Sequence, residues 1–345
     1  MLGGGIFVTQ NKTLPGAYIN IVNASSVNVK SAERGVVAIA LPLNKKVGTV
    51  IEVTKDHFYN SSEELLGKKY DSADLIALRE IFCHATKVYV YDLGTDGTVD
   101  DAIIALEPYE FNVVCAYTDV VKDVTSYITA VKSWRDELGK KCQVVVYNQT
   151  KPDSEGVINV ISTVSDENAV PYALVAWTAG AEAGCAINKS CTNMIYDGEY
   201  AVVANKRRNE LEEYIRNGQF AFHLVYGEVR VLEDINSLIT FTAEKGEDFK
   251  YNQTIRVIDQ IANDIAKLFS TKYAGQIPNN ESGRVSLWAD IVAHHRELES
   301  IQAIEAFDSS MLKVERGATK KSVVVNDAIT VINSMAQLYM TVVIQ

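Results

Sequence analysis

The chain has 345 residues, 47% of them hydrophobic, which is enough for two or three compact units with apolar cores. Its formal net charge of −11 argues against a nucleic-acid coat protein and against a binder of anionic membranes. No apolar run approaches the length of a membrane span, and no basic segment followed by an apolar one opens the chain, so neither membrane insertion nor a signal peptide is expected.

The five cysteines are widely spaced, and none of them forms a CxxC pair. Cys83 and Cys115 lie in apolar runs, so we interpret them as buried thiols. A disulfide framework or a zinc site is not expected from this spacing, which is typical of a cytosolic protein.

The N-terminal segment predicts a strand-like arm. A glycine-rich start and a Pro15-Gly16 turn precede residues 17–23, in which apolar residues roughly alternate. The apolar positions of this arm are Tyr18, Ile19, Ile21 and Val22.

From residue 35 to about residue 205, strand and helix patterns alternate. This alternation predicts an α/β unit with a mainly parallel sheet. The predicted strands cover residues 35–41, 49–53, 87–91, 111–117, 143–147 and 157–161. The predicted helices cover residues 72–82, 102–106, 123–138 and 172–185.

The pattern changes after residue 205. A helix is predicted over 210–217, a hairpin around Tyr226-Gly227, and two longer helices over 254–269 and 282–301. Further strands are predicted at 311–314, 322–326, 329–332 and 339–345. Because chain ends are usually polar, an apolar strand at the end of the chain predicts a subunit that completes a sheet in its neighbour.

Motifs of α/β enzymes are missing from the sequence. It has no GxxxxGK[ST] loop, no GxGxxG turn in its first half and no GxSxG elbow. The acidic turn at 92–101 lacks the ligand spacing of a calcium loop, and its acids are interpreted as complements to a helix N-terminus. His294 and His295 point about 100° apart on a helix, so we expect partly buried or interface histidines that do not share a metal ion. An α/β enzyme of unknown activity stays open as an alternative.

Seven segments, spread in order over the chain, carry a family resemblance. The C-terminal ones include TFTAEKGEDF at 240–249 and the segments 255–265, 278–284 and 338–342. The upstream ones are LPGAYIN at 14–20, RGVV at 34–37 and ALEPYEFNV at 105–113. Together they resemble the tail sheath proteins of contractile-tailed bacteriophages and of the related phage-tail-like bacteriocins of Gram-positive bacteria.

The resemblance implies a structural subunit without enzymatic activity or cofactor. Such subunits form hexameric rings, which stack into a helical sheath around an inner tail tube, between a baseplate and a terminator or cap protein. Shortening of the sheath drives the tube through the envelope of the target cell. The subunit is expected to assemble in the cytoplasm of the bacterial host and to leave it in the tail of a phage or phage-tail-like particle. Another tail or baseplate component is the second alternative.

The resemblance also implies a domain plan. Residues 1–25 form an N-terminal arm, and residues 26–205 form a subtilisin-like α/β middle domain without a catalytic triad. Residues 206–335 contribute an α+β inner domain, and residues 336–345 form a C-terminal arm. Larger relatives carry a β-sandwich near the position of residues 93–99, which this chain lacks, so a minimal sheath of the bacteriocin type is slightly favoured over a phage.

The two arms are expected to pair with strands of neighbouring subunits. The C-terminal arm presents Tyr339, Met340, Val342 and Ile344. We expect the acceptor strand to contain Val323 and Val325. Arg256 and Lys267 lie on the predicted helix over 254–269, which we place next to the tube, and these two side chains are the candidate tube contacts.

Overall fold

The computed structural model describes residues 33–344, and the predicted N-terminal arm with Tyr18, Ile19, Ile21 and Val22 lies outside this range. The strands are β1 (Val36–Leu41), β2 (Val50–Thr54), β3 (Lys87–Asp92), β4 (Val113–Cys115), β5 (Gln143–Tyr147), β6 (Val157–Val160), β7 (Gln219–Phe220), β8 (Phe222–Val225), β9 (Glu228–Val231), β10 (Lys313–Arg316) and β11 (Val323–Asn326). The helices are α1 (Lys55–Leu66), α2 (Ile76–Phe82), α3 (Val99–Leu106), α4 (Val121–Asp136), α5 (Leu174–Gly184), α6 (Arg208–Arg216), α7 (Asn252–Leu268) and α8 (Glu281–Ser300).

A seven-stranded sheet in the order β2-β3-β1-β4-β5-β6-β7 forms the centre of the subunit. Its neighbouring strands are parallel except for β2, which runs antiparallel to β3. The predicted mainly parallel sheet is therefore confirmed. Because β7 belongs to it, the sheet extends past residue 205, where the α/β unit was expected to end.

Both faces of the sheet are covered by helices, which explains why its central strand β1 is a continuous apolar run. In β1, Val37 and Ile39 point into one core, whereas Val36 and Ala38 point into the other. The first core is closed by α2 and α5, and the second by α3 and α4.

Helix α5 lies very close to α2 and to the turn that follows it because one of its glycines faces each of them. A Cβ atom on Gly180 would stand 2.3 Å from the carbonyl oxygen of Ile81, and one on Gly184 would stand 2.2 Å from that of His84. The helix predicted over 172–185 is confirmed, and its glycines, together with its alanines, account for the close packing.

The predicted hairpin is confirmed as β8 and β9, and its turn residues Tyr226 and Gly227 have φ angles of 50° and 89°. Helix α1 was not predicted. The strand predicted over 329–332 is wrong, since this segment makes a single bridge between Val331 and Ile304. Residues 339–344 have no regular structure within the subunit, so a strand there stays a prediction about the assembled state.

Candidate assembly interface

The C-terminal helices α7 and α8 build a third core, onto which the β10–β11 hairpin is fastened. The indole nitrogen of Trp288 in α8 donates to the carbonyl oxygen of Leu312 at 3.1 Å. At the other end of the hairpin, the Asn279 amide donates to the carbonyl oxygen of Ser322 at 2.8 Å. The hairpin is thus held in a fixed position on the surface of the subunit.

The β10–β11 hairpin presents two sheet edges. Within residues 33–344 its two strands pair with each other and with no third strand. The proposed acceptor residues lie in β11, where Val323 is half-buried and Val325 is 39% exposed. A groove of about 660 Å³ runs beside Val323, and its apolar floor is edged by the basic side chains of Arg284, Lys320 and Lys321.

The C-terminal segment 335–344 projects its apolar side chains into solvent. Tyr339 is 87% exposed and Ile344 is 94% exposed, and Met340 and Val342 are exposed as well. An apolar segment of this length left in water is a sign of an interaction site. The structure therefore places the predicted residues of the C-terminal arm on the surface, outside the three cores formed by residues 33–344.

Arg256 does not face outward, and its prediction as a tube contact is wrong. Its side chain is 4% exposed and its Nη2 atom lies 3.0 Å from a carboxylate oxygen of both Glu182 and Asp234. Helix α7 buries this part of its polar face against α5, and an arginine there needs a partner of opposite charge. Lys267 near the end of the same helix is exposed, as a surface contact requires.

The buried cluster around Arg256 has the composition of a metal site, but a guanidinium lies among its ligand atoms. Oxygen and sulfur atoms of Glu182, Asp234 and Cys191 lie within 4.8 Å of one another. The guanidinium of Arg256 stands among them, with Nη2 3.9 Å from the Cys191 sulfur, and so it supplies the positive charge that a metal ion would bring. Burial, and next to it the charge of Asp234, raises the pKa of Glu182 well above its usual value.

His294 and His295 are both buried and serve as connectors. His294 Nε2 lies 2.9 Å from Asp264 in α7, and His295 Nε2 lies 2.6 Å from Asp327 in the segment after β11. Their two Nδ1 atoms are 3.3 Å apart. Both are more deeply buried than the partly buried histidines that were expected, and through them α8 is tied both to α7 and to the root of the C-terminal segment.

Asp92 ends β3 at the edge of the sheet where catalytic carboxylates of α/β enzymes often lie, but here it holds a loop. Its oxygens accept hydrogen bonds from the backbone N–H groups of residues 43, 44, 45, 46 and 94. Burial by itself would raise the pKa of Asp92, yet these hydrogen bonds lower it below the usual value. Residues 93–98 then lead directly into α3, without an inserted domain.

The sequence pattern did not indicate the residues that hold the C-terminal segment or the ion pairs. Gln253 at the start of α7 bonds to residues 332 and 334, and Arg135 of α4 pairs with Asp259 of α7. The partners in each pair are 79 or more positions apart, beyond the reach of any periodic pattern. The only sign of these contacts in the sequence was the presence of polar residues within helices that are otherwise regular in pattern.

None of the helices within residues 33–344 is both long enough and apolar enough to span a membrane.

Two family models match the chain. The model of the phage tail sheath protein central domain matches residues 94–237, and that of the phage tail sheath C-terminal domain matches residues 244–345. Together they span well over half of the chain, and the second includes the hairpin and the exposed C-terminal segment.

Two curated relatives share sequence with the chain. The phage-like element PBSX protein XkdK of Bacillus subtilis is 34% identical over 223 residues, which are 61% of this chain and 47% of the relative. The tail sheath protein of Clostridium phage phiCD119 is 25% identical over 282 residues, which are 81% of this chain and 78% of the relative. The chain thus spans less than half the length of the first of these proteins.

Solved structures share the fold. The sheath tail protein of Desulfitobacterium hafniense superposes with a TM-score of 0.79 at 24% identity, covering 94% of this chain and 99% of that protein. The helical sheath of the anti-feeding prophage in its contracted state gives a TM-score of 0.70 at 14% identity, covering 96% of this chain and 99% of the other. With both family models matched in order along its length, this chain belongs to the phage tail sheath family.

Proposed function

We propose that the chain is the non-enzymatic structural subunit of a contractile sheath. It polymerises as stacked hexameric rings around an inner tail tube, and contraction of the sheath drives the tube through the envelope of a target cell. Membership of the tail sheath family supports this role, and so does the likeness in fold to a helical sheath in its contracted state. The observation that carries it is the exposed apolar segment 335–344.

The subunits are linked by strand exchange. Within residues 33–344 both edges of the β10–β11 hairpin are unpaired, and the two arms to donate are Tyr18 to Val22 at the front and Tyr339 to Ile344 at the back. The C-terminal arm pairs beside Val323 and Val325 of a neighbour, and a contact of this kind does not close on itself and so builds open helical polymers.

The strength of such a contact is sufficient for a permanent link. A six- or seven-residue strand adds about five backbone hydrogen bonds, each worth a net ~1 kcal/mol. Burial of Met340, Val342 and Ile344 adds about 1.5–3 kcal/mol for each side chain before the cost of ordering the arm. A link kept in both states cannot drive contraction, so the driving energy resides in the surfaces that change between the long and short forms.

The role of a sheath subunit also assigns a part to each region of the chain. The unit built on residues 26–205 has a subtilisin-like topology without catalytic residues, residues 206–335 contribute the inner domain, and 1–25 and 336–345 are the arms. Strand β7 joins the first unit to the second through the sheet. Lys267 on α7 faces the inner tube, and the ends of the sheath contact a baseplate and a terminator protein. Assembly takes place in the cytoplasm of the host, before release of a phage or bacteriocin-type particle.

Deletion of residues 339–345 tests the proposal. We expect the truncated subunit to fold but to remain unpolymerised in sedimentation and in electron micrographs, alone and with tube protein. Val342→Pro, which removes one main-chain donor, should give the same loss, whereas the matched control Val342→Thr keeps both the donor and the strand propensity and should polymerise. Normal sheaths from the truncated or the proline variant would refute strand exchange.

A further inference from the structure

The C-terminal segment leaves the body of the subunit at a defined residue. The amide of Glu305 donates to the carbonyl oxygen of Thr330 at 2.9 Å, and the amide of Ile332 donates to that of Ala303 at 3.0 Å. Asp327 is held by His295. Within residues 33–344, Ser334 is the last residue whose backbone bonds to the body, through its amide.

Gln253 makes this last attachment. Its Nε2 atom donates to the carbonyl oxygen of Ile332 at 3.1 Å, and its Oε1 atom accepts from the amide of Ser334 at 2.9 Å. In a parallel sheet, a residue donates to the residue before its partner and accepts from the residue after it. The Gln253 side chain makes the same two bonds on either side of Asn333, so it takes the place of a neighbouring strand. Gln253 is 3% exposed, and the neighbouring Thr254 hydroxyl donates to the Asn333 side chain at 3.2 Å.

The residues after Ser334 are not held by the body of the subunit in this way. Met335 is 102% exposed. Ala336 and Gln337 pass over a cavity of about 340 Å³, whose other walls include Glu233 and Tyr251, instead of packing on a filled surface. Lifting residues 335–344 away from the body therefore breaks no backbone hydrogen bond to it, whereas lifting residue 334 does.

We propose that Gln253 is a positioning residue for the C-terminal arm. Its carboxamide holds Ser334, the last residue that is bonded to the body of the subunit. The arm swings about the bond between Ser334 and Met335 to reach a second copy of this chain. The inference rests on the proposed strand exchange and adds to it the location of the hinge. The eleven residues 335–345 span at most about 36–40 Å when fully extended.

Hydrogen exchange on the unassembled subunit tests the hinge without reference to assembly. We expect the amide of Ser334 to be protected and those of residues 335–340 to exchange freely. Gln253→Leu should speed exchange at Ser334 by about ten-fold, since both flanking bonds are lost. The matched control is Gln149→Leu, which removes a glutamine amide that donates to the carbonyl oxygen of Tyr147 in the sheet, and it should leave Ser334 unchanged. Unchanged exchange at Ser334 in Gln253→Leu, or protection that continues through residue 338 in the parent, would overturn the hinge.

Ser334→Pro serves as the second variant, because Ser334 is exposed and its change leaves the buried helix intact. It removes the donor to Gln253, and we expect faster exchange at Ile332 and a several-fold loss of sedimentable polymer. Polymer yield equal to that of the parent in both variants would overturn the positioning role. If deletion of residues 339–345 also left polymerisation intact, strand exchange itself would have failed, whereas loss only on deletion would reject the hinge alone.

Discussion

Arg135 and Asp259 form a buried, bidentate ion pair between the sheet and the C-terminal helices. Nη1 of Arg135 lies 2.5 Å from Oδ2 of Asp259, and Nη2 lies 2.9 Å from Oδ1. The arginine comes from α4 and the aspartate from α7, so the pair joins a helix that covers one face of the sheet to the C-terminal helices. Relative movement of these two parts would have to break it.

Arg135→Met should lower the free energy of unfolding by about 3–5 kcal/mol, because it leaves the Asp259 carboxylate buried without its counter-charge. Arg208→Met, which breaks an exposed pair with Glu212, is the matched control and should cost at most about 0.5 kcal/mol. Urea unfolding followed by circular dichroism measures both. Equal midpoints for the two variants would show that the pair does not hold these two parts together.

Asp92→Asn should destabilise the subunit at neutral pH by about 1–3 kcal/mol, since five backbone N–H groups lose their charged acceptor. The pKa of Asp92 is lowered in the folded state, so its contribution is complete above the usual value of 3.8 and is lost as the pH falls through the folded-state pKa. The difference between the parent and the variant should therefore shrink below about pH 4. Asp96→Asn, at an exposed position in the next turn, should show no such difference in the same pH series of unfolding curves.

Glu80 gives the opposite pH dependence. Burial raises its pKa from 4.5 to about 6, although Tyr196 and the amide of Glu199 both donate to it. The folded state then binds this proton more tightly than the unfolded state, so stability falls as the pH rises from 4.5 to about 6 and levels off above. Glu80→Gln should remove a slope worth about 2 kcal/mol and be the more stable form at pH 7.5. The same change at exposed Glu213 should leave the slope in place, and an unchanged slope in Glu80→Gln would contradict the assignment.

Lys267→Glu tests the tube contact separately from folding. We expect a several-fold lower coverage of tubes in electron micrographs, with a free energy of unfolding within about 0.5 kcal/mol of the parent. Lys132→Glu, at an exposed lysine of α4, should affect neither. Arg256→Leu should instead lower the free energy of unfolding by about 3–5 kcal/mol, so its effect on tube coverage would reflect loss of folded subunit. Normal coverage with Lys267→Glu would remove this residue from the interface.

Most strands of the sheet could be predicted because they are largely apolar segments between turn residues, and the family could be predicted from short matching segments. The two-residue strand β7 was not predicted as part of the sheet. Helix α7 shows why the site was harder. Its isoleucines predicted the helix correctly, but Ile258 and Ile261 are only half-buried, whereas Arg256 and Asp259 on the polar face are buried against the rest of the subunit. Polarity predicts the outer face of a helix only when no partner of opposite charge comes from a distant part of the chain.

Attachment of the C-terminal arm at Ser334 limits how far two linked subunits can move relative to each other. A paired stretch of six residues occupies about 20 Å of the arm, which leaves roughly four residues, or about 13 Å, as slack between the anchor and the neighbouring hairpin. Rotation or sliding of the subunits by less than this distance puts no tension on the arm. A larger step would pull on Gln253 or separate the paired strands, so the four residues between Ser334 and the paired stretch set an upper bound on the stroke of each link.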